Sequence, residues 1–156
     1  MKKQLSKSDI EKLNQDILRQ FGISDFFGKK DKISLADINH QLYVVKDDVV
    51  CFFYLDGKLV PALKLLLQRQ FLKQVVVDMG AVKFVSAGAD VMRPGIIELD
   101  KSIKKDEFVL VVDQVHKKPL AVAKALFSGE EISALKQGKV LKALHWVGDS
   151  IWLLLP

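Results

Sequence analysis

The chain of 156 residues contains a single cysteine, Cys51. One thiol closes no internal disulfide, and without Cys or His partners it builds no zinc site. Cys51 lies in Val49-Val50-Cys51-Phe52-Phe53, far from the exposed, cation-rich setting that makes a thiol reactive, and it reads as a buried strand residue. The three histidines, His40, His116 and His145, are scattered, and none has a metal partner at helical spacing. His116 reads as a loop residue, and His145, beside Trp146, as a packed one. There is no P-loop, no Rossmann glycine pattern and no serine nucleophile elbow. The acidic pairs Asp47-Asp48 and Glu130-Glu131 are adjacent in sequence, so each pair's side chains need not share a site. The first reads as a turn and the second as the first turn of a helix. No apolar run reaches the roughly 18 residues that cross a bilayer. The basic start Met1-Lys2-Lys3-Gln4-Leu5-Ser6-Lys7 leads into no apolar signal core, so no membrane association and a cytoplasmic address are expected. Catalysis, cofactors and metals are not expected either.

What is present is an ordinary globular composition, 49% hydrophobic and 28% charged, which argues against disorder. The net charge is +5 and the pI is about 9.2. Most of the surplus lies early, in Lys2-Lys3, Lys29-Lys30 with Lys32, and Lys58, Lys64, Arg69 and Lys73. The later half is nearly balanced. Such a charge is compatible with RNA but also with many basic proteins.

Along the chain, Ser8-Asp9-Ile10-Glu11 predicts a helix start with Ser8 as cap, followed by Ile10, Leu13, Ile17 and Leu18 at helical spacing and closed by Gly22. Asp25 to Leu35 is polar and lysine-rich and is expected to be a loop. Phe26-Phe27 reads either as an exposed docking patch or as core. Gln41 to Val45 and Val49 to Leu55 predict strands around a turn at Lys46-Asp47-Asp48, and Asp56-Gly57 predicts another turn. Phe52-Phe53-Tyr54 reads as buried strand in preference to a base-stacking run. Lys58 to Val60 is a third short strand or a lead into the helix that Pro61 starts. The character changes at Lys73. Val75 to Val77, Asp90 to Met92, Ile96 to Leu99, Phe108 to Val112, Leu120 to Phe127 and Val140 to Val147 predict strands. Short helices are expected at Gly80 to Ala87 and from Ser128 to Leu135. Many short strands with few short helices predict a small barrel, with a boundary near Lys73-Gln74.

The most informative stretch runs from Val77 to Ile96. A strand, a short glycine-started helix, a Gly88-Ala89 turn and a second strand follow in close order, with no side chain suited to catalysis. Small residues let backbone approach a partner, and cations stand beside them, a combination that suits a nucleic-acid backbone. Asp78 reads first as the cap of the helix at Gly80.

The pattern Asp78-x-Gly80-Ala81, then Gly88-Ala89-Asp90-Val91-Met92-Arg93-Pro94-Gly95-Ile96, with the closing Asp149-Ser150-Ile151-Trp152, resembles the PUA domain. Together with Lys58-Leu59-Val60-Pro61-Ala62-Leu63-Lys64-Leu65-Leu66 and Val82 to Ala87, it resembles the malignant-T-cell-amplified-sequence family, in an archaeal-type form. The resemblance covers nearly all of the chain. It implies an α+β fold, with a small α/β N-terminal domain (1–73) and a C-terminal PUA-like pseudo-barrel (74–156) that binds RNA. It further implies a non-catalytic translation factor whose partners are tRNA or rRNA, the small ribosomal subunit and a density-regulated-type protein.

On that basis the candidate RNA-binding residues are Gly80, Lys83, Gly88, Ala89, Met92, Arg93, Lys117 and Lys118. Gly80 and the Gly88-Ala89 pair would admit a phosphate or base, and the helix start near Gly80 suits a phosphate oxygen. Lys83 adds a point charge, Arg93 a forked contact and Met92 an adaptable apolar surface. Each has a plainer reading: Gly88 as a helix stop, Pro94-Gly95 as a turn, Met92 as core, and Lys83, Lys117 and Lys118 as solvated charges. Two other functions stay open, an RNA-modification component and a protein-interaction module. Charge reversal at Lys83 and Arg93 together is expected to abolish RNA binding with the fold intact.

Overall fold

A computed structural model describes residues 1–156, and the chain divides into two compact units. The first is Met1–Leu65 with Leu154–Pro156, and the second is Leu66–Leu153. No helix is long and apolar enough to cross a membrane.

The first unit is an antiparallel sheet with one helix. Its strands are β1 (Lys2–Gln4), β2 (Ile33–Ile38), β3 (Gln41–Lys46), β4 (Val49–Leu55) and β5 (Lys58–Pro61), paired in chain order. Helix α1 (Lys7–Phe21) separates β1 from β2. It buries Ile10, Leu13 and Ile17, the apolar stripe the spacing predicts. The cap, however, is Ser6 and not Ser8. Asp9 N donates to Ser6 Oγ at 3.1 Å and Ser6 N donates back to Asp9 Oδ2 at 3.2 Å, a complete capping box. Two Ser-x-x-acid frames overlap here, and the earlier one closes the helix start. The expected loop over Asp25 to Leu35 is shorter than the sequence suggests, because β2 begins at Ile33. Phe26 and Phe27 are core: both rings meet Phe52 edge-on, at 5.5 and 6.2 Å. Phe52 and Phe53 are likewise buried strand residues, as is Cys51, whose thiol burial pushes up to about 11. Asp47-Asp48 and Asp56-Gly57 take positive φ at both positions, the geometry of tight hairpins.

Helix α2 (Leu63–Gln68) contains the dividing line. The second unit then lays down β6 (Gln74–Val77), α3 (Met79–Ser86), β7 (Val91–Met92), β8 (Ile96–Leu99), β9 (Phe108–Asp113), β10 (Pro119–Ala125), α4 (Gly129–Ala134) and β11 (Lys139–Trp146). Its six-stranded sheet runs β7-β11-β10-β9-β6-β8. The outermost strands, β7 and β8, are neighbours in sequence, joined only by the 3-10 turn Arg93–Gly95. In a flat sheet five strand spacings would separate them by roughly 24 Å. The chain from Met92 to Ile96 reaches at most ~14 Å. The sheet therefore curls until its edges meet, and the pseudo-barrel follows from the connection. The interior is filled by Val75, Val77, Val109, Val111, Ala121, Ala123 and Leu141, with Val85 of α3 packed among them.

Arg93 stands in the seam where the edges approach. Its Nε donates to the carbonyl of Ile132 at 2.6 Å and its Nη1 to that of Ile96 at 3.1 Å, while its backbone N–H donates to Gly138 O at 2.8 Å. The guanidinium ties β8 and α4 together across the turn. The expectation that Arg93 can be reversed in charge without harm to the fold is therefore corrected: a carboxylate there would face two carbonyl oxygens.

Candidate nucleic-acid interface

Helix α3 starts as the sequence predicts. Asp78 caps it, with Ala81 N donating to Asp78 Oδ1 at 2.8 Å, and the Asp78 N–H donates to Gly95 O at 2.9 Å. Gly95 must approach α3 closely, since a Cβ on it would lie 3.1 Å from the Ala81 methyl. These contacts fix one wall of an open groove of ≈ 630 Å³, lined by Gly80, Ala81 and Phe84 on α3, by Ala89 and Met92, and by Lys139.

The groove is apolar with a charged rim. Phe84 is 58% exposed and Met92 51% exposed, although both are large apolar side chains. On the rim, Lys139 Nζ lies 3.4 Å from Asp90 Oδ2, and Asp90 Oδ1 accepts the Ala143 N–H at 2.8 Å. The Lys83 ammonium lies over one face of the exposed Phe84 ring, 5.2 Å from its centre. An aromatic face with cations next to it suits an unstacked base and its phosphate.

Gly80 and Gly88 differ in what they do. A Cβ on Gly80 would meet only Asp78 Oδ1, at 3.4 Å, an ordinary contact. The fold leaves that position open toward the groove. Gly88, with φ +92°, is pressed against Trp146, and a Cβ there would fall 2.5 Å from indole Cζ2. The Trp146 backbone is in turn held by Asp149, which accepts the backbone N–H of Trp146 at 2.9 Å and that of Trp152 at 2.8 Å, and contacts His145 Nδ1 at 2.9 Å. Burial pushes the Asp149 carboxyl up, but these hydrogen bonds outweigh it and hold it below the ordinary value.

Residues 73–147 match the PUA domain family and residues 1–69 the pre-PUA-like domain family. The chain is 41% identical to an uncharacterized protein of Methanocaldococcus jannaschii, over 95% of this chain and 93% of that one. It is 30% identical to translation machinery-associated protein 20 of Saccharomyces cerevisiae, over 94% of this chain and 88% of that one. It is 28% identical to malignant T-cell-amplified sequence 1 of Rattus norvegicus, over 96% of this chain and 88% of that one. The chain belongs to this family of pre-PUA and PUA proteins. Among solved structures, a hypothetical protein from Pyrococcus horikoshii superposes with a TM-score of 0.84 at 31% identity, over 100% of both chains. The archaeal-type resemblance and the α+β architecture of a pre-PUA region followed by a PUA barrel both hold.

The groove thus belongs to the PUA half of this family member. Of the residues singled out from the sequence, Gly80, Ala89 and Met92 line it, Lys83 stands beside it, and Gly88 does not line it but packs against Trp146. Arg93 is drawn into the barrel seam. Lys117 and Lys118 do not line the groove. They lie in the β9–β10 hairpin, where Lys117 Nζ is 3.6 Å from Glu98 Oε2 and the Lys118 N–H donates to Asp113 at 3.0 Å. That hairpin is organised by Asp113, whose carboxylate also takes the N–H groups of Val115 and His116. The His116 N–H above all, opposed by desolvation and helped by those of Lys118 and Val115, holds it below the ordinary value. Phe84 and Lys139 are two groove residues with side chains suited to RNA that the sequence-based set did not include. Phe84 carried a signal, an aromatic beside Lys83 in a helix too short to bury every apolar side chain. Lys139 carried none, since only the β7–β11 pairing brings it to the groove.

Proposed function

We propose that this protein is a non-catalytic RNA-binding factor of the translation machinery that engages the small ribosomal subunit or tRNA through the groove beside α3. The observation that carries this reading is the groove itself: an open glycine at Gly80, exposed Phe84 and Met92, and cations at Lys83 and Lys139. Backbone and small side chains give access, the aromatic gives a stacking face, and the lysines give phosphate contacts that locate without reading sequence. The PUA domain and the names of the translation-associated relatives support the RNA-binding, translation-related part of this reading.

The test is co-sedimentation of the purified protein with purified small ribosomal subunits, with and without tRNA, across a salt series. Saturable binding that weakens steeply with salt is the expected result, because each phosphate contact releases counterions. Binding to neither subunits nor tRNA would overturn the proposal.

A further inference from the structure

The register of β10 and β11 places Lys124 directly opposite Lys142. Like charges facing each other across a sheet are destabilising, so such a pair needs a counter-charge. None is built in. The ion pairs of the second unit's lysines join Lys73 to Glu107, Lys117 to Glu98 and Lys139 to Asp90. Glu107 and Asp90, carboxylates close to these strands, are thereby taken. Lys142 is exposed and Lys124 is half-buried, with Phe108 of β9 on its other side.

The two lysines also face away from the groove helix. Ala123 and Ala125, on either side of Lys124, belong to the core into which Val85 of α3 packs. Strand alternation then puts Lys124 on the opposite face of the sheet. Lys139 stands on the groove rim, and Lys142 follows three residues later on β11, about 10 Å at the rise of a strand.

We propose that Lys124 and Lys142 form a second phosphate-backbone contact for the RNA, on the sheet face opposite α3. This rests on the RNA-binding reading of the groove. The pair holds one phosphate between two ammonium groups, and the anion relieves the repulsion that the empty sheet carries. It adds affinity and salt dependence but no sequence preference.

The experiment titrates the full chain into fluorescein-labelled tRNA transcript, and in parallel into small ribosomal subunits, at a series of KCl concentrations. In Lys124→Gln with Lys142→Gln the side-chain stems stay and the charges go. The expected result is a uniformly weaker affinity and a salt slope lower by about 1 in total, for the one phosphate that the pair holds. The double variant is expected to melt no lower than wild type, and Lys124→Arg with Lys142→Arg to keep the wild-type slope. Unchanged affinity and slope in the glutamine variant, while wild type binds, would overturn this proposal alone. Binding of the wild-type protein to neither probe would overturn the groove reading and this contact with it.

Discussion

Gly88 and Trp146 occupy one space: the indole lies where any side chain at Gly88 would have to go, 2.5 Å from the position of its Cβ. A residue that looks like a simple helix stop is thus the floor on which Trp146 rests. Asp149 fixes the Trp146 backbone by accepting its main-chain N–H. The two most recognisable ends of the PUA half, Gly88-Ala89 and Asp149 to Trp152, are one packing unit.

Gly88→Ala is therefore expected to destabilise the protein by about 3 kcal/mol, combining overpacking with a strained positive φ. Urea unfolding monitored by tryptophan fluorescence checks this. A loss below about 1 kcal/mol would mean that Trp146 moves aside freely.

Gly80 should behave in the opposite way. Gly80→Ala is expected to leave stability unchanged or raise it by about 0.5 kcal/mol, because alanine suits a helix and meets no clash. Gly80→Val is expected to fold and to bind RNA at least several-fold more weakly. Thermal melts and a binding titration on the same samples separate the two effects.

Arg93→Met is expected to cost about 2 kcal/mol, because the carbonyls of Ile132 and Ile96 lose charged donors at the barrel seam. Denaturant midpoints measure it. A variant that folds as well as wild type but fails to bind RNA would return Arg93 to the interface.

Acid should weaken the second unit in a predictable direction. Asp149, Asp113 and Glu131 all titrate below their ordinary values in the folded chain. Their contributions are fully present above the unfolded values of 3.8 for Asp and 4.5 for Glu, and are lost as pH falls through the lower folded values. Unfolding midpoints recorded from pH 7 down to about pH 2 should fall most steeply below about pH 4.5. Asp149→Asn should lower stability at neutral pH and flatten that acid limb.

Much of this architecture is legible in the residues. Asp78 announces its helix cap, Pro94-Gly95 its turn, and the β-branched runs from Val75 and from Phe108 their strands. Local chemistry decides each of these. The start of α1 was ambiguous because Ser6 and Ser8 both precede an acid at the capping distance. Strand β1 was invisible because Lys2, Lys3 and Gln4 are all exposed and show no alternation. The candidate site was legible where it is local to α3, in Gly80, Lys83, Ala89 and Met92. Its remaining parts depend on register. Which strand Lys139 joins, where Lys124 meets Lys142 and how β7 comes back to β8 are set by pairings that no short window of sequence contains. Arg93 illustrates the same limit, since its partners Ile132 and Gly138 lie about forty residues away in the chain.

The central claim is that the groove beside α3 holds RNA, and Lys83→Glu with Phe84→Ala tests it most directly. Both side chains are exposed, so the variant is expected to melt as wild type does. Its co-sedimentation with small ribosomal subunits at moderate salt is expected to weaken at least tenfold, from one lost base stack and one reversed charge. A variant that folds and sediments with subunits as tightly as wild type would contradict the account.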